Sequence, residues 1–523
     1  MRRPTLRIST KTRLSALILA ASALISGTAC TDLEENPVSA ITPENFFRNE
    51  GEVLSALAGV YAQLRPTLDD YYNVSQVSSD EHIVPTRGQD WYDNGIWLEL
   101  DKHEWAANSP SAGAQINGAW VTAFTGVVRA NALLENMEGV TIANQAAVNA
   151  EIRLLRAFYY YQLMDLFGGV PLVEDTELKT RPRATRTEIF DFIETELKAV
   201  RGALPATRPA GEHGRVTRGA ADALLANMYL NAGVFRNDAA PNPTSYNSCS
   251  TVTIGGVSAC QLAINHADSV LNSSAGYVLA TDWRSNFTAT NNTSKENIFV
   301  VNLLNATDLG LNFLMRALHY NQLNAPTPWN GFATIAEVYN AFDANDQRRD
   351  AFLVGQQINF DNNQPAKDRA GNPLIFTVSI ADERAATEAE GARLAKWPSD
   401  PNHVNQEHGN DFAFFRLAEI YLIKAEAQLE LGSQAGLTLV NTLRARVFEP
   451  DEPLAGPLTR DIILQERLFE LAGEAKRRQD LIRHGKYTRA WEFKPESEAH
   501  TVLMPIPQGQ IDANPELDQN PGY

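Results

Sequence analysis

A mainly helical fold is predicted from three features of the sequence. Apolar residues recur at intervals of three and four over several windows, most of these windows end at glycine, and alanines collect where two helices would touch. Residues 119–138 place Trp120, Phe124, Val127, Asn131, Leu134 and Met137 on one helix face, which makes Trp120 a core residue. Residues 150–167 repeat the pattern with Ile152, Leu155, Tyr159, Leu163 and Leu166, then stop at Gly168-Gly169 with Pro171 beyond. A third helix is expected over 187–200, capped by Thr187, and a fourth over 217–232, capped by Thr217 and closed by Gly233. The fourth carries Ala220, Ala221, Ala223 and Ala226, so a neighbouring helix can approach closely.

A loop-rich stretch rich in Asn, Ser and Thr follows, with strand-like fragments at Asn297–Leu304 and Pro373–Ile380 that predict minor sheet. Helices return over 412–431, with Phe415, Ala418, Tyr421, Leu422, Ala425 and Leu429, then over 434–447, and as one or two more over 458–484. Small residues at close-contact positions suggest stacked helix pairs of the TPR kind, without a regular 34-residue repeat.

Composition narrows the function classes. At 523 residues, with 44% hydrophobic and 21% charged residues, the chain has the makeup of a folded globular protein and can bury a large core. Removing the first 29 residues, which hold Arg2, Arg3, Arg7, Lys11, Arg13 and no acid, takes the net charge from −18 to −23. Such a surface repels phosphate backbones and anionic lipid, so neither nucleic acid nor membrane docking by charge is expected.

Those basic residues precede Leu14–Ile25, an apolar stretch too short to span a bilayer and suited to a signal peptide. Gly27-Thr28-Ala29-Cys30 resembles a bacterial lipobox, in which Cys30 is lipidated and becomes the mature N-terminus. Several acyl chains on one cysteine, at about 0.8 kcal/mol per buried CH₂, hold a protein stably to a membrane. Cys249 and Cys260 remain. In an oxidising compartment a local disulfide is the default, stabilising by roughly 3 kcal/mol, and two free thiols are the alternative.

Five blocks in order carry a resemblance to a family. They are Arg156–Tyr160 running to Gly168-Gly169-Val170-Pro171-Leu172, Gly214–Ala220, Phe415–Tyr421 with Lys424–Ala427, Glu466-Arg467 to Gly485, and Met504–Pro507 to Tyr523. Together they resemble the SusD/RagB-like outer-membrane lipoproteins. Leu468 and Ala475 stand where that family often has Arg and Gly. The resemblance implies a SusD-like fold of four TPR-like helix pairs plus a loop-rich region with minor β. It also implies a lipoprotein, anchored through fatty acid such as palmitate at the outer surface of the cell outer membrane. There it would bind an oligomeric nutrient, commonly a glycan, and deliver it to a SusC-like TonB-dependent transporter. The expected organisation is a signal peptide over 1–29, a tether over 30–45, an N-terminal helical region over 46–235, the loop-rich region over 236–410 and a C-terminal helical region over 411–523.

Sugars present apolar C–H faces ringed by hydroxyls, so a sugar binder needs flat rings together with Asn, Asp or Arg. The segment Gly88–Trp97 supplies Trp91, Tyr92, Asn94 and Trp97, with Arg87 just before it. In starch-binding members of the family an aromatic arc near this region grips sugar and a later tryptophan completes it; Trp329 or Trp283 stands in the right part of the chain. The alternative is that these rings plug the core or face the transporter.

Other constellations are weaker. Asp343–Asp350 departs from a calcium-binding loop, with Arg348 where glycine and Val354 where an acid is required, and reads as structural. His403, Glu407 and His408 miss both zinc-helix patterns. Glu466, Arg467, Glu470, Glu474, Arg477 and Asp480 alternate at helical spacing and read as ion pairs along a helix face. No cofactor or metal is expected. No nucleophile elbow or Walker loop is present, so an anchored glycan-degrading enzyme is a second reading without motif support. A helical-repeat scaffold without small ligand is a third.

Overall fold

A computed structural model describes residues 49–138, 140–239 and 245–523. The signal peptide, Cys30 and the tether therefore lie outside the described residues. The first helices are α1 (Glu50–Ala62), α2 (Tyr71–Val77) and α3 (Ile96–Asp101). Then come α4 (Ala112–Asn136), α5 (Gln145–Phe167), α6 (Arg186–Val200), α7 (Arg218–Leu230) and α8 (Ala259–Leu271). The C-terminal set is α9 (Leu417–Glu430), α10 (Gly436–Arg444), α11 (Arg460–Leu471) and α12 (Arg477–Arg483). From α4 to α11 the helices stack in series, α4 on α5, α5 on α6, α7 on α8 and α8 on α9, with α10 and α11 both packed on α9. Residues 272–416 separate α8 from α9 in the chain, although the two helices pack together.

Local chemistry explains the boundaries. The cap of α6 is Thr185, not Thr187: its hydroxyl accepts from the Glu188 N–H at 3.1 Å while the Glu188 carboxylate accepts from the Thr185 N–H at 2.7 Å. That reciprocal pair satisfies two otherwise orphaned donors, which Thr187 has no partner to do. Helix α5 ends where Gly168 turns to φ +73°. Its predicted apolar face is only half the story, because nearly every residue from Ile152 to Phe167 is buried. The polar ones are paired: Arg156 reaches Glu196 at 2.6 Å and Asp165 accepts from the Tyr71 hydroxyl at 3.0 Å. A helix enclosed on all sides is the axis of the stack. Close packing of α4 against it depends on Gly126, where a Cβ would stand 2.4 Å from the Tyr159 ring.

The helix expected over 412–431 divides. Phe412–Arg416 is a strand, β2, paired antiparallel with β1 (Asn297–Val301), with Asn297 opposite Arg416 and Val301 opposite Phe412. Aromatic residues favour a strand here, and the chain passes straight into α9 where the Leu417 N–H donates to the Glu296 carbonyl at 2.8 Å. The fragment at 373–380 is strand only at Ile375–Phe376. Cys249 and Cys260 are bonded as a disulfide at the entrance to α8.

The charged residues of α11, α12 and the turn between them are not a solvated face. Glu466, Glu470, Glu474, Arg477 and Asp480 are buried, and most of their partners are remote in sequence. Arg416 meets Glu296, Glu470 and Glu474 at 2.8, 2.7 and 2.8 Å. Arg348 holds Asp346 at 2.7 Å and Glu470 at 3.1 Å, Lys396 holds Glu474 at 2.5 Å, and Arg446 holds Glu296 at 2.7 Å. Four cations thus face four carboxylates in the interior. Periodicity alone cannot separate this arrangement from a surface ladder, since both give charges at three and four. The Asp343–Asp350 segment ends in the same lattice, as a buried Asp346–Arg348 pair.

Candidate functional site

The loop leading into α3 has an unusual backbone. Trp91, Asp93 and Asn94 have φ of 62°, 40° and 57°, and Gly95 has 85°. For a residue with a Cβ the left-handed region costs roughly 1–2 kcal/mol, so something must hold the loop there. Four bonds do so. The Arg87 N–H donates to the Asp90 carbonyl at 2.9 Å and the Gly95 N–H to the Tyr92 carbonyl at 2.6 Å. The Trp97 indole donates to the Asp93 carboxylate at 2.7 Å, and the Trp91 indole donates to the Trp329 carbonyl at 2.6 Å.

That last bond joins segments 238 residues apart and brings two predicted tryptophans together. Trp91 lies across Gly331, where a Cβ would stand 2.2 Å from its ring, so no other residue fits at 331 without moving the indole. Trp97 and Phe332 back it at centroid distances of 5.6 and 5.7 Å. Tyr92 projects outward, 58% exposed, and Asn94 is exposed beside it. Both line a cavity of about 450 Å³ whose wall includes Thr86, Glu99, Lys102 and Arg384. Its charges are mostly committed, Lys102 to Glu383 at 2.6 Å and Glu99 to the Ser109 and Ser111 hydroxyls.

A second aromatic group adjoins Trp329. The Tyr320 hydroxyl donates to Asp90 at 2.5 Å, and burial together with that bond pushes it up to about 12. Arg369 lies 4.2 Å above the Tyr320 ring and pairs with Glu388. Burial alone would raise the Glu388 carboxyl, but hydrogen bonds from His319 and Arg369 hold it below the usual carboxylate range. The result is a rigid polar rim in which each charge faces an opposite one.

Three of the seven expected contact residues turn inward. Arg87 is buried and donates to the carbonyls of Thr387 and Glu390. Trp97, 7% exposed, supports Trp91 from behind. Trp283, 4% exposed, donates to Glu470 at 3.2 Å and belongs to the ion lattice. The surface set is Tyr92 and Asn94 with the half-buried Trp91 and Trp329. Sequence reading missed Tyr320 and Arg369; the only signal was an aromatic beside asparagine in His319-Tyr320-Asn321.

A larger cavity, about 610 Å³, lies between α1 and residues 300–309. Its walls combine aliphatic residues, Leu54, Leu57 and Leu309 among them, with Arg65, His213 and Arg215, and the Tyr61 hydroxyl donates to Glu151 at 2.7 Å. Glu407 pairs with Arg65 at 3.1 Å and His408 accepts from the Asp400 N–H at 3.0 Å. Among the described residues no group of three or more His, Cys, Asp or Glu could hold a metal ion, and no helix is long and apolar enough to cross a membrane.

The SusD family model matches residues 272–523, and a second model, described as starch-binding associating with outer membrane, matches residues 33–230. The chain belongs to the SusD family. SusD-like protein P25 of Formosa agariphila is 24% identical, over 93% of this chain and 94% of that protein. The starch-binding protein SusD of Bacteroides thetaiotaomicron is 25% identical, over 86% of this chain and 85% of its own. A laminarin-binding SusD-like protein of known structure superimposes with a TM-score of 0.72 at 23% identity, covering 91% of this chain and all of that one. In this chain the Trp91 loop, the Trp329 loop and the 383–393 strap lie side by side.

Proposed function

We propose that this SusD-family chain is a non-enzymatic carbohydrate-binding lipoprotein. It would be anchored through Cys30 at the outer surface of the outer membrane and hand an oligomeric glycan to a SusC-like TonB-dependent transporter. The observation that carries the reading is the aromatic edge. Tyr92 offers a free ring face, Asn94 offers amide donors and acceptors, and Trp91 and Trp329 are locked behind them. A sugar ring needs a flat apolar face and fixed hydrogen-bonding groups, and a site already rigid loses little entropy on binding. Family members described as binding starch and laminarin support the ligand class. The transporter and the anchor rest on family resemblance and on the Gly27–Cys30 motif.

The test uses the mature chain from Cys30. Native gels containing laminarin, soluble starch or acidic polysaccharides should retard it with at least one glycan, with no new reducing ends. Pull-down from native membranes should recover an outer-membrane transporter, and mass spectrometry should find acyl chains on Cys30. Failure to bind any glycan, together with release of reducing ends, would overturn the reading in favour of an enzyme.

A further inference from the structure

Three segments meet behind Trp91 and Trp329, namely residues 86–97, 319–331 and 383–393, and two buried arginines lace them together. Arg87 donates to the carbonyls of Thr387 and, at 2.9 Å, Glu390. Arg393, fully buried, donates to the carbonyls of Glu390 at 2.8 Å and Glu388 at 3.2 Å, and to the Asn330 side-chain oxygen at 3.1 Å. Asn330 returns a bond from its amide nitrogen to the Glu388 carbonyl at 3.1 Å. Its φ is 53°, and it stands between Trp329, whose carbonyl receives the Trp91 indole, and Gly331, on which the Trp91 ring lies.

Neither arginine has a carboxylate partner at ion-pair distance among the described residues, in contrast to Arg348 and Arg416 in the C-terminal lattice. Enclosing a cation among neutral carbonyls is costly, and burial lowers the proton affinity of both. What such a group supplies is geometry. A guanidinium is a planar fork with donors in fixed directions, so it sets several acceptors in a planar arrangement that a tetrahedral, freely rotating ammonium does not reproduce. Arg393 sets the strap carbonyls against Asn330, and Asn330 sets the two residues that receive Trp91.

We propose that Arg393, acting through Asn330, is a positioning residue for the carbohydrate edge, fixing the 388–390 strap so that Trp91 and Trp329 stay in register. The proposal rests on the carbohydrate reading of that edge. Two variants of the mature chain test it. Arg393→Lys keeps a charge and loses the fork. Asn330→Gly removes the link while glycine adopts the required φ without strain, so it decides the matter where the buried lysine prevents folding.

The first readout needs no ligand. It is hydrogen exchange of the Trp91 indole proton, followed by NMR and assigned with Trp91→Phe. Exchange should accelerate about tenfold, the effect of losing one hydrogen bond's worth of restraint. The second readout is retention by laminarin and soluble starch, which should weaken about tenfold with the thermal midpoint of Asn330→Gly close to that of the parent. Unchanged indole exchange in a folded variant overturns the proposal. Faster exchange with unweakened glycan binding overturns it too; if Tyr92→Ala still weakens binding about tenfold, the carbohydrate reading stands. Absence of glycan binding by the unaltered chain overturns that reading and the proposal with it.

Discussion

Around Arg416, four cations and four carboxylates share one enclosed volume, and each side chain is held by opposite charge. Around Trp91, the backbone itself is out of its preferred region, and single hydrogen bonds from indoles and guanidiniums hold it. The lattice commits its charges to one another, to nearby backbone carbonyls and to the Trp283 indole, all in the interior. The aromatic edge leaves Tyr92 and Asn94 free because other residues carry the cost of holding them. The difference teaches where function can sit in a chain with many charged residues: charge count marks the scaffold, and uncommitted rings mark the site.

The contrast breaks most sharply at Arg416. Its replacement by alanine strands Glu296, Glu470 and Glu474 without their shared cation and should cost about 3–5 kcal/mol, read as a lower urea midpoint. Comparable loss from Tyr92→Ala would erase the distinction. Acid should act on the same region. Burial would raise the Glu470 carboxyl, but Arg446, Arg416 and Arg348 hold it down at about 2, from an ordinary 4.5. A depressed carboxyl stabilises above its unfolded value and loses that contribution as pH falls toward the folded one. Stability should therefore drop between about pH 4.5 and 2, by on the order of 3 kcal/mol from this group. Glu470→Gln, though weaker at pH 7, should flatten that limb; an unflattened acid limb would remove Glu470 from the account.

Tyr92→Ala should do the reverse of Arg416→Ala. Glycan affinity should fall about tenfold by titration calorimetry, while the thermal midpoint stays within about a degree, since the ring is 58% exposed. Trp91→Phe is the mildest change. It keeps a ring over Gly331, loses the bond to the Trp329 carbonyl, and should cost about 1 kcal/mol in stability, with an altered near-ultraviolet dichroism spectrum.

Much of this could be read from residues alone. The stop at Gly168-Gly169, the alanines of α7 and the family blocks are local or ordered along the chain, and helix formation is largely local. Phe412–Arg416 departs from the expected helix because its apolar residues suit a strand as well as a helix turn, and its partner β1 is over 100 residues away. Trp283 turns inward, and a tryptophan in a polar segment gives no sign of whether Glu470 waits for its indole. Tyr320 and Arg369 stayed hidden because each has meaning only across from the other.

The amino-acid order by itself determined a helical body, the family blocks along it and the residue types able to meet a sugar. It could do so because periodicity, caps and motifs depend on neighbours within a few positions. Only the tertiary structure decided which rings face outward, which arginines serve as carbonyl clasps and which charges vanish into the core. Exposure and pairing belong to contacts between distant segments, and those exist only once the chain has closed on itself.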